Sequence, residues 1–299
     1  MARVRRGWVA VAAVVVVGGG GVSGCAEEGA TAGSAVEASG APGSSVAPKV
    51  PKTAGEFLAR AREAMAAEPG WTFTVNGTES LALSGSDEPN RASYTAEGRW
   101  TGAPQVLRAD GTITSGEGGE GGELRVQSYV VDGTGHFREG VKAWEKGPVT
   151  EPENAAKVED PMAQVASFEE YVSSPADPEA DEVRVVTRGD EVRLQVEFGQ
   201  QSLAGRAKSP ALDKAGLEFD PTLAQLKEQG VAAAPDDIVL RDLDEQLVLD
   251  ARTYQVKSHW IAFSFVLPYQ GRQITYTQEV RQEIGGTFAG AIELPAGVR

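Results

Sequence analysis

The chain has 299 residues, a formal net charge of −15, one cysteine and two histidines. A surface this acidic is a poor match for nucleic acid or anionic lipid headgroups. One cysteine excludes an internal disulfide, and two histidines supply too few ligands for a histidine-built metal centre.

The first segment reads as an export signal. Arg3, Arg5 and Arg6 precede a ten-residue run, Trp8 to Val17, without a polar side chain; Gly18 to Gly21 break it, and Val22-Ser23-Gly24-Cys25 follows. A positive end, a short apolar core and small residues at the cut are the order of a removable signal peptide. The core falls short of the ~20 residues a membrane helix needs. Val22-Ser23-Gly24-Cys25 resembles the bacterial lipobox, with Val where Leu is usual. That resemblance implies cleavage after residue 24 and a diacylglyceryl group on the Cys25 thiol. The fatty chains, palmitate among them, then anchor the mature protein to the outer, extracytoplasmic face of the cell membrane. Several acyl chains, at ~0.8 kcal/mol per buried CH₂, hold far better than one. Residues 25–52 are the lipidated cysteine and a Gly-, Ala-, Ser- and Pro-rich tether that cannot bury enough surface to fold. Its 27 residues after Cys25 reach roughly 30 Å. Loss of Arg3, Arg5 and Arg6 takes the net charge to about −18, with acidic residues scattered as on an ordinary solvated surface.

The folded domain spans residues 53–299. Thr53-Ala54-Gly55-Glu56 is a capping box, and Phe57, Leu58, Ala61 and Met65 recur on one helical face before Glu68-Pro69-Gly70 stops the helix. Strands are expected over Trp71 to Leu83, Ala92 to Trp100, Gln105 to Thr114 and Glu123 to Val131. Asp132-Gly133 is a hairpin signal, after which the chain returns through His136-Phe137-Arg138 towards Lys142 to Lys146. Asp160-Pro161 opens a helix with Met162, Val165, Phe168 and Val172 on its apolar face. Val183 to Phe198 is a hairpin turning at Arg188-Gly189-Asp190. Ser209-Pro210 and Asp220-Pro221 start two short helices, the second ending at Gly230. Ile238 to Asp250, Tyr254 to Leu267 and Gln273 to Arg281 are strands. A last short segment is Ile292-Glu293-Leu294-Pro295.

Some ten strands with mostly short turns and few helices predict an α+β fold: a large curved antiparallel sheet, a half-barrel, with helices on its concave side. Three stretches add a family resemblance. They are Tyr-Val-Val-Asp-Gly to Lys-Ala-Trp-Glu-Lys (Tyr129 to Lys146), Leu-Asp-Ala-Arg-Thr-Tyr (Leu249 to Tyr254) and the closing Ile-Glu-Leu-Pro. With the N-terminal helix set directly before the first strand, this order is similar to the LolA-type lipoprotein-carrier superfamily and its LppX–LprG branch. The helical insertion at 160–230 departs from that pattern. The resemblance implies an apolar hollow between sheet and helices that binds or carries a lipid or another apolar ligand. Strand Tyr254 to Leu267 is the candidate wall: Ile261, Phe263, Phe265 and Leu267 share one face, and Trp260, Ala262 and Val266 the other. Trp260, Ile261, Phe263, Phe265 and Leu267 are therefore the candidate ligand-lining residues. The alternative is a filled core, with the domain acting as an envelope interaction or sensor module that binds a protein partner.

Residues that carry chemistry are sparse, and a non-enzymatic protein without cofactor or metal is expected. No zinc, nucleotide or nucleophile-elbow motif occurs in the sequence. His136 beside a turn, and His259 on a strand face with Gln255 and Lys257, are expected to be exposed or hydrogen-bonded. Gly116 to Gly122 reads as a flexible hairpin loop whose glutamates would repel phosphate. Asp236, Asp237, Asp242 and Asp244 lack calcium-loop spacing.

Overall fold

A computed structural model describes residues 50–86, 89–116, 122–151, 154, 157–158, 160–173 and 183–298. The expected signal peptide, Cys25, nearly all of the tether and the middle of the glycine-rich loop lie outside the described residues.

Helix α1 (Ala54–Ala66) starts where the capping box places it. Thr53 Oγ1 accepts from the Glu56 N–H at 3.2 Å, the Glu56 carboxylate accepts from the Thr53 N–H, and Phe57, Leu58, Ala61 and Met65 are buried. Strands β1 (Gly70–Leu83), β2 (Asn90–Gly102), β3 (Gln105–Gly116), β4 (Gly122–Val131), β5 (Thr134–Glu139) and β6 (Glu145–Pro148) follow as a meander. Helix α2 (Pro161–Ser173), β7 (Arg184–Arg188), β8 (Glu191–Phe198), β9 (Gln201–Ser202) and helix α3 (Pro210–Glu228) come next, then β10 (Val239–Asp250), β11 (Val256–Tyr269) and β12 (Arg272–Thr287).

All twelve strands join one antiparallel sheet in the order β6-β5-β4-β3-β2-β1-β12-β11-β10-β8-β7, with β9 also on β10. The sheet is open, ending at β6 and β7, so the expected curved α+β sheet is what forms. The chain enters at the centre with β1 and meanders out to one edge. It then crosses to the other edge and meanders back, so that β12 closes against β1 along thirteen paired residues. Alternation sorts side chains between the two faces. The row Val75–Gln282–His259–Leu247–Leu194 runs across five strands on one face. The helices pack on that face: Phe219 of α3 stacks on Phe265 at 4.5 Å between ring centroids and meets Tyr276 at 5.1 Å. Gly98 lies on the same face because the Phe73 ring crosses it, and a Cβ there would sit 2.0 Å from that ring.

Two expectations change. One helix forms here, not two: α3 (Pro210–Glu228) runs through Pro221. The proline removes a single N–H, and the stripe Leu212, Ala215, Phe219, Leu223 and Leu226, all buried, continues across it. The pull of a shared apolar face outweighs the local break. His259 is hydrogen-bonded, one of the two expected outcomes, but it does not share a face with Lys257. A bulge where Leu249 pairs with Val256 and Val248 with Ser258 skips Lys257, and His259 turns into the core at 1% exposure. Ile292 to Pro295 lies outside the sheet.

Candidate functional site

Two regions concentrate polar chemistry, one on each face of the sheet. Beneath the helices, the side chain of Glu245 (β10) points inward between Leu243 and Leu247 and is fully buried. Lys214 of α3 donates to Glu245 and to Ser167 of α2. Tyr171 of α2 donates to the other carboxylate oxygen of Glu245 at 2.5 Å, and His259 Nε2 lies 2.7 Å from the first. Burial alone would raise the Glu245 carboxyl, but Lys214 and His259 outweigh it and hold it down at about 2. Burial pushes His259 below its ordinary value despite the Glu245 carboxylate. The imidazole is then neutral near pH 7, with Nε2–H donating and Nδ1 an acceptor that has no partner among the described residues. The Phe168 ring stands edge-on at 6.1 Å. The cluster thus ties α2 and α3 to β10 and β11 by side chains. A hydroxyl beside an amine is a nucleophile–base arrangement in principle, but Ser167 is 2% exposed and offers a substrate no approach.

A second inward acid lies nearby on β1. Glu79 pairs across the ladder with Gln278 of β12. The Tyr276 hydroxyl is 2.7 Å from the Gln278 amide oxygen and 3.2 Å from the Glu79 carboxylate. Burial raises the Glu79 carboxyl to about 8, with the Tyr276 hydrogen bond pulling the other way. Glu79 is therefore largely protonated at neutral pH.

The sequence-predicted lining residues separate. Ile261, Phe263, Phe265 and Leu267 face the helices at 2% exposure or less, with Phe219 laid over Phe265. Trp260 is on the opposite face, where its indole N–H donates to Glu279 at 2.9 Å. Sequence reasoning missed Glu245, Lys214, Ser167 and Tyr171. The signal was present: Glu245 falls in the apolar phase of a strand, and Lys214 and Glu218 fall in the apolar stripe of a helix.

The opposite face of β1–β5 holds an open trough of about 1030 Å³, with a smaller hollow of about 360 Å³ sharing Thr74, Glu97 and Asp110. Register makes it a set of cross-strand ladders. One runs Thr74–Glu97–Asp110–Gln127–Arg138, one residue from each of five strands. A second runs Asn76–Thr95–Thr112–Arg125, and a third Thr72–Arg99–Arg108–Tyr129–His136. Arg108 Nε and the Gln127 amide each donate to Asp110 at 2.6 Å, and Arg138 donates to the Gln127 oxygen at 3.1 Å. Arg108 lies over Tyr129 and Arg138 over Trp144, while the two rings meet edge-on at 5.6 Å.

No family model matches the sequence, and no curated protein matches it. Among solved structures, the chain is similar to a β-barrel-like protein of the domain of unknown function DUF1849 from Brucella abortus. The two share 10% identity over 72% of this chain and 98% of that one, with a TM-score of 0.22. It is also similar to a DUF1329-family protein from Desulfovibrio piger, at 5% identity over 78% of this chain and 95% of that one, with a TM-score of 0.26. Among the described residues no helix is long and apolar enough to cross a membrane.

Proposed function

We propose that this chain is a non-enzymatic lipoprotein, tethered through acylated Cys25 to the outer face of the cell membrane, that holds a lipid or another apolar ligand between its sheet and its helical cover. The leader and the Val22-Ser23-Gly24-Cys25 motif support the anchor. The observation that carries the ligand is the seam between α3 and the sheet. There Phe219 meets Phe265 and Tyr276, and Phe263 lies against both of those rings. An acyl chain replaces such contacts like for like if α3 shifts outward, because no hydrogen-bonded strand has to be broken. On this reading the ligand makes its room as α3 moves.

Organic extraction and mass spectrometry of the purified full chain test this reading. About one lipid per chain beyond the Cys25 anchor is expected, together with saturable uptake of a fluorescent fatty acid. A clean protein that takes up no fatty acid refutes the ligand. Metabolic labelling with an alkyne-tagged palmitate tests the anchor separately, and label retained in a Cys25→Ala chain refutes it. A second reading, an interaction module that works through its open face, is favoured by one observation, the polar trough on β1–β5.

A further inference from the structure

We propose that the trough on the open face of β1–β5 is a binding site for a carbohydrate chain that carries carboxylate groups. The inference stands apart from the apolar ligand, since the two sites lie on opposite faces of the sheet.

The shape is the first argument. A concavity of about 1030 Å³ is in the range of real ligand sites. The short side chains Thr74, Asn76, Thr95 and Thr112 and the longer Glu97, Gln127, Arg125 and Arg138 line it together. Five strands at 4.7–4.9 Å spacing make the ladder from Thr74 to Arg138 roughly 19 Å long. It meets an extended ligand with one polar group per strand, and the advance of one pyranose in a β-linked chain is close to that spacing.

The chemistry of the lining is the second. Hydroxyls, amides, carboxylates and guanidiniums line the hollow, supplying donors and acceptors in planar, bidentate form. Sugar hydroxyls require both; an alkyl chain would strand them unpaired.

Charge is the third. The chain as a whole is strongly acidic, yet the two hollows gather four guanidiniums, Arg99, Arg108, Arg125 and Arg138, against three carboxylates, Glu97, Asp110 and Glu123. Arg108 is paired with Asp110. Arg99, Arg125 and Arg138 form no ion pair among the described residues. A surplus of one guanidinium over the carboxylates, with Arg125 and Arg138 in the trough itself free of ion pairs among the described residues, fits a sugar polymer that is mostly hydroxyls with a carboxylate at intervals. Dense polyanions fit less well, because Glu97 and Glu123 would face them.

The test uses the full chain with Cys25→Ser and three probes of similar length: a β-1,4-linked mannuronate hexamer, a neutral β-1,4-linked hexose hexamer and a hexaglutamate peptide. Titration calorimetry is expected to show the uronate hexamer bound, the neutral hexamer at least tenfold weaker and the peptide weaker still. Arg125→Glu, on an exposed side chain, and Gln127→Ala, in the ladder, are each expected to weaken the uronate at least tenfold while the thermal midpoint stays within 2–3 °C. Three results each overturn the proposal: no uronate binding, binding unchanged in both variants, or hexaglutamate binding as well as the uronate. If only the fatty-acid uptake described above fails, the trough is untouched, and the reverse also holds.

Discussion

Replacing Lys214 by Met removes the cation beside Glu245, which must then either stay ionised without it or take up a proton, in a site of 0% exposure. Removing one partner of a buried ion pair costs about 3–5 kcal/mol, because the remaining charge has lost its compensation. The pH argument reaches a similar size. Glu245 drops from its ordinary 4.5 to about 2 in the folded chain, which at 1.36 kcal/mol per unit is about 3 kcal/mol of linked stability. A depressed acid stabilises above its unfolded value, so this contribution is complete above pH 4.5 and is lost as pH falls from about 4.5 to about 2. His259 acts in the same direction at a higher pH. The unfolded chain takes up a proton near pH 6.5 while the buried imidazole resists it, so stability begins to fall below pH 6.5. The assay is urea unfolding followed by the fluorescence of buried Trp71 and Trp100. Lys214→Met is expected to lower stability by about 3–5 kcal/mol, which for a domain this size is a drop of roughly 6–20 °C in Tm. The decisive variant is Glu245→Gln. In the natural background it strands the Lys214 ammonium and destabilises. In the Lys214→Met background it removes an uncompensated charge and stabilises. A second substitution that is neutral or destabilising in that background refutes the charge argument, as does Lys214→Met within about 0.5 kcal/mol of the natural protein.

Four further outcomes follow from the same coordinates. Phe219→Ala empties the place above Phe265 and Tyr276 and is expected to cost about 3–5 kcal/mol; it should also raise uptake of an apolar dye, and loss of uptake would count against a ligand under α3. Gly98→Ala drives a methyl into the Phe73 ring and is expected to cost about 1–3 kcal/mol, measured by the urea midpoint. Glu79→Gln removes an acid whose folded value is raised to about 8. The Glu79 contribution to the natural protein's stability therefore falls as pH rises from 4.5 to about 8, and the variant lacks that loss, so the gap between their unfolding midpoints changes across this window and is constant below pH 4.5. Thr53→Ala breaks the capping box of α1, at about 1 kcal/mol, with loss of helix signal confined to that segment in hydrogen exchange.

The class of fold was legible because alternation survives over most of each long strand, and a sheet of that width with so few helices has few ways to form. The capping box at Thr53 and the turn at Asp250 were equally readable. In the latter, Asp250 Oδ1 accepts from the N–H groups of Arg252 and Thr253 at 2.9 Å each. Strand order was not readable. The pairing of β1 with β12 joins residues some two hundred positions apart, and nothing local encodes it. The face His259 was given with Gln255 and Lys257 was misread because a bulge one residue long inverts alternation, and periodicity alone does not place a bulge. Pro221 read as a helix boundary because its local cost is visible in sequence, whereas the compensating contact of Phe219 with Phe265 is tertiary. The buried cluster was half legible: Glu245 and Lys214 each break an apolar pattern, but their meeting depends on how α3 crosses β10.

The trough and the core are two readings of the same strands. Along β1, Phe73 and Val75 enter the core while Thr72, Thr74 and Asn76 line the open face, and β2 to β4 repeat the division. A slip of one residue would exchange the two sets, placing Glu97, Asp110 and Arg138 under the helices and Ala96, Ala109 and Phe137 in water. Such a slip is costly on both faces at once, so register here is held by opposed demands and not by the core alone. The irregularities sit where they spare it. The shift in β1 falls between Thr72 and Phe73, near the strand's start, and those in β10 fall at Leu240/Asp242 and Val248/Leu249, near its two ends. From Phe73 to Leu83 the pairing of β1 with β12 is unbroken, and from Gln105 to Ser115 so is that of β3 with its neighbours. A sheet needed only as a lid for its own core could tolerate bulges in the middle of β2 and β3. Uninterrupted register under the trough is what a surface requires when it presents one polar group per strand at fixed intervals.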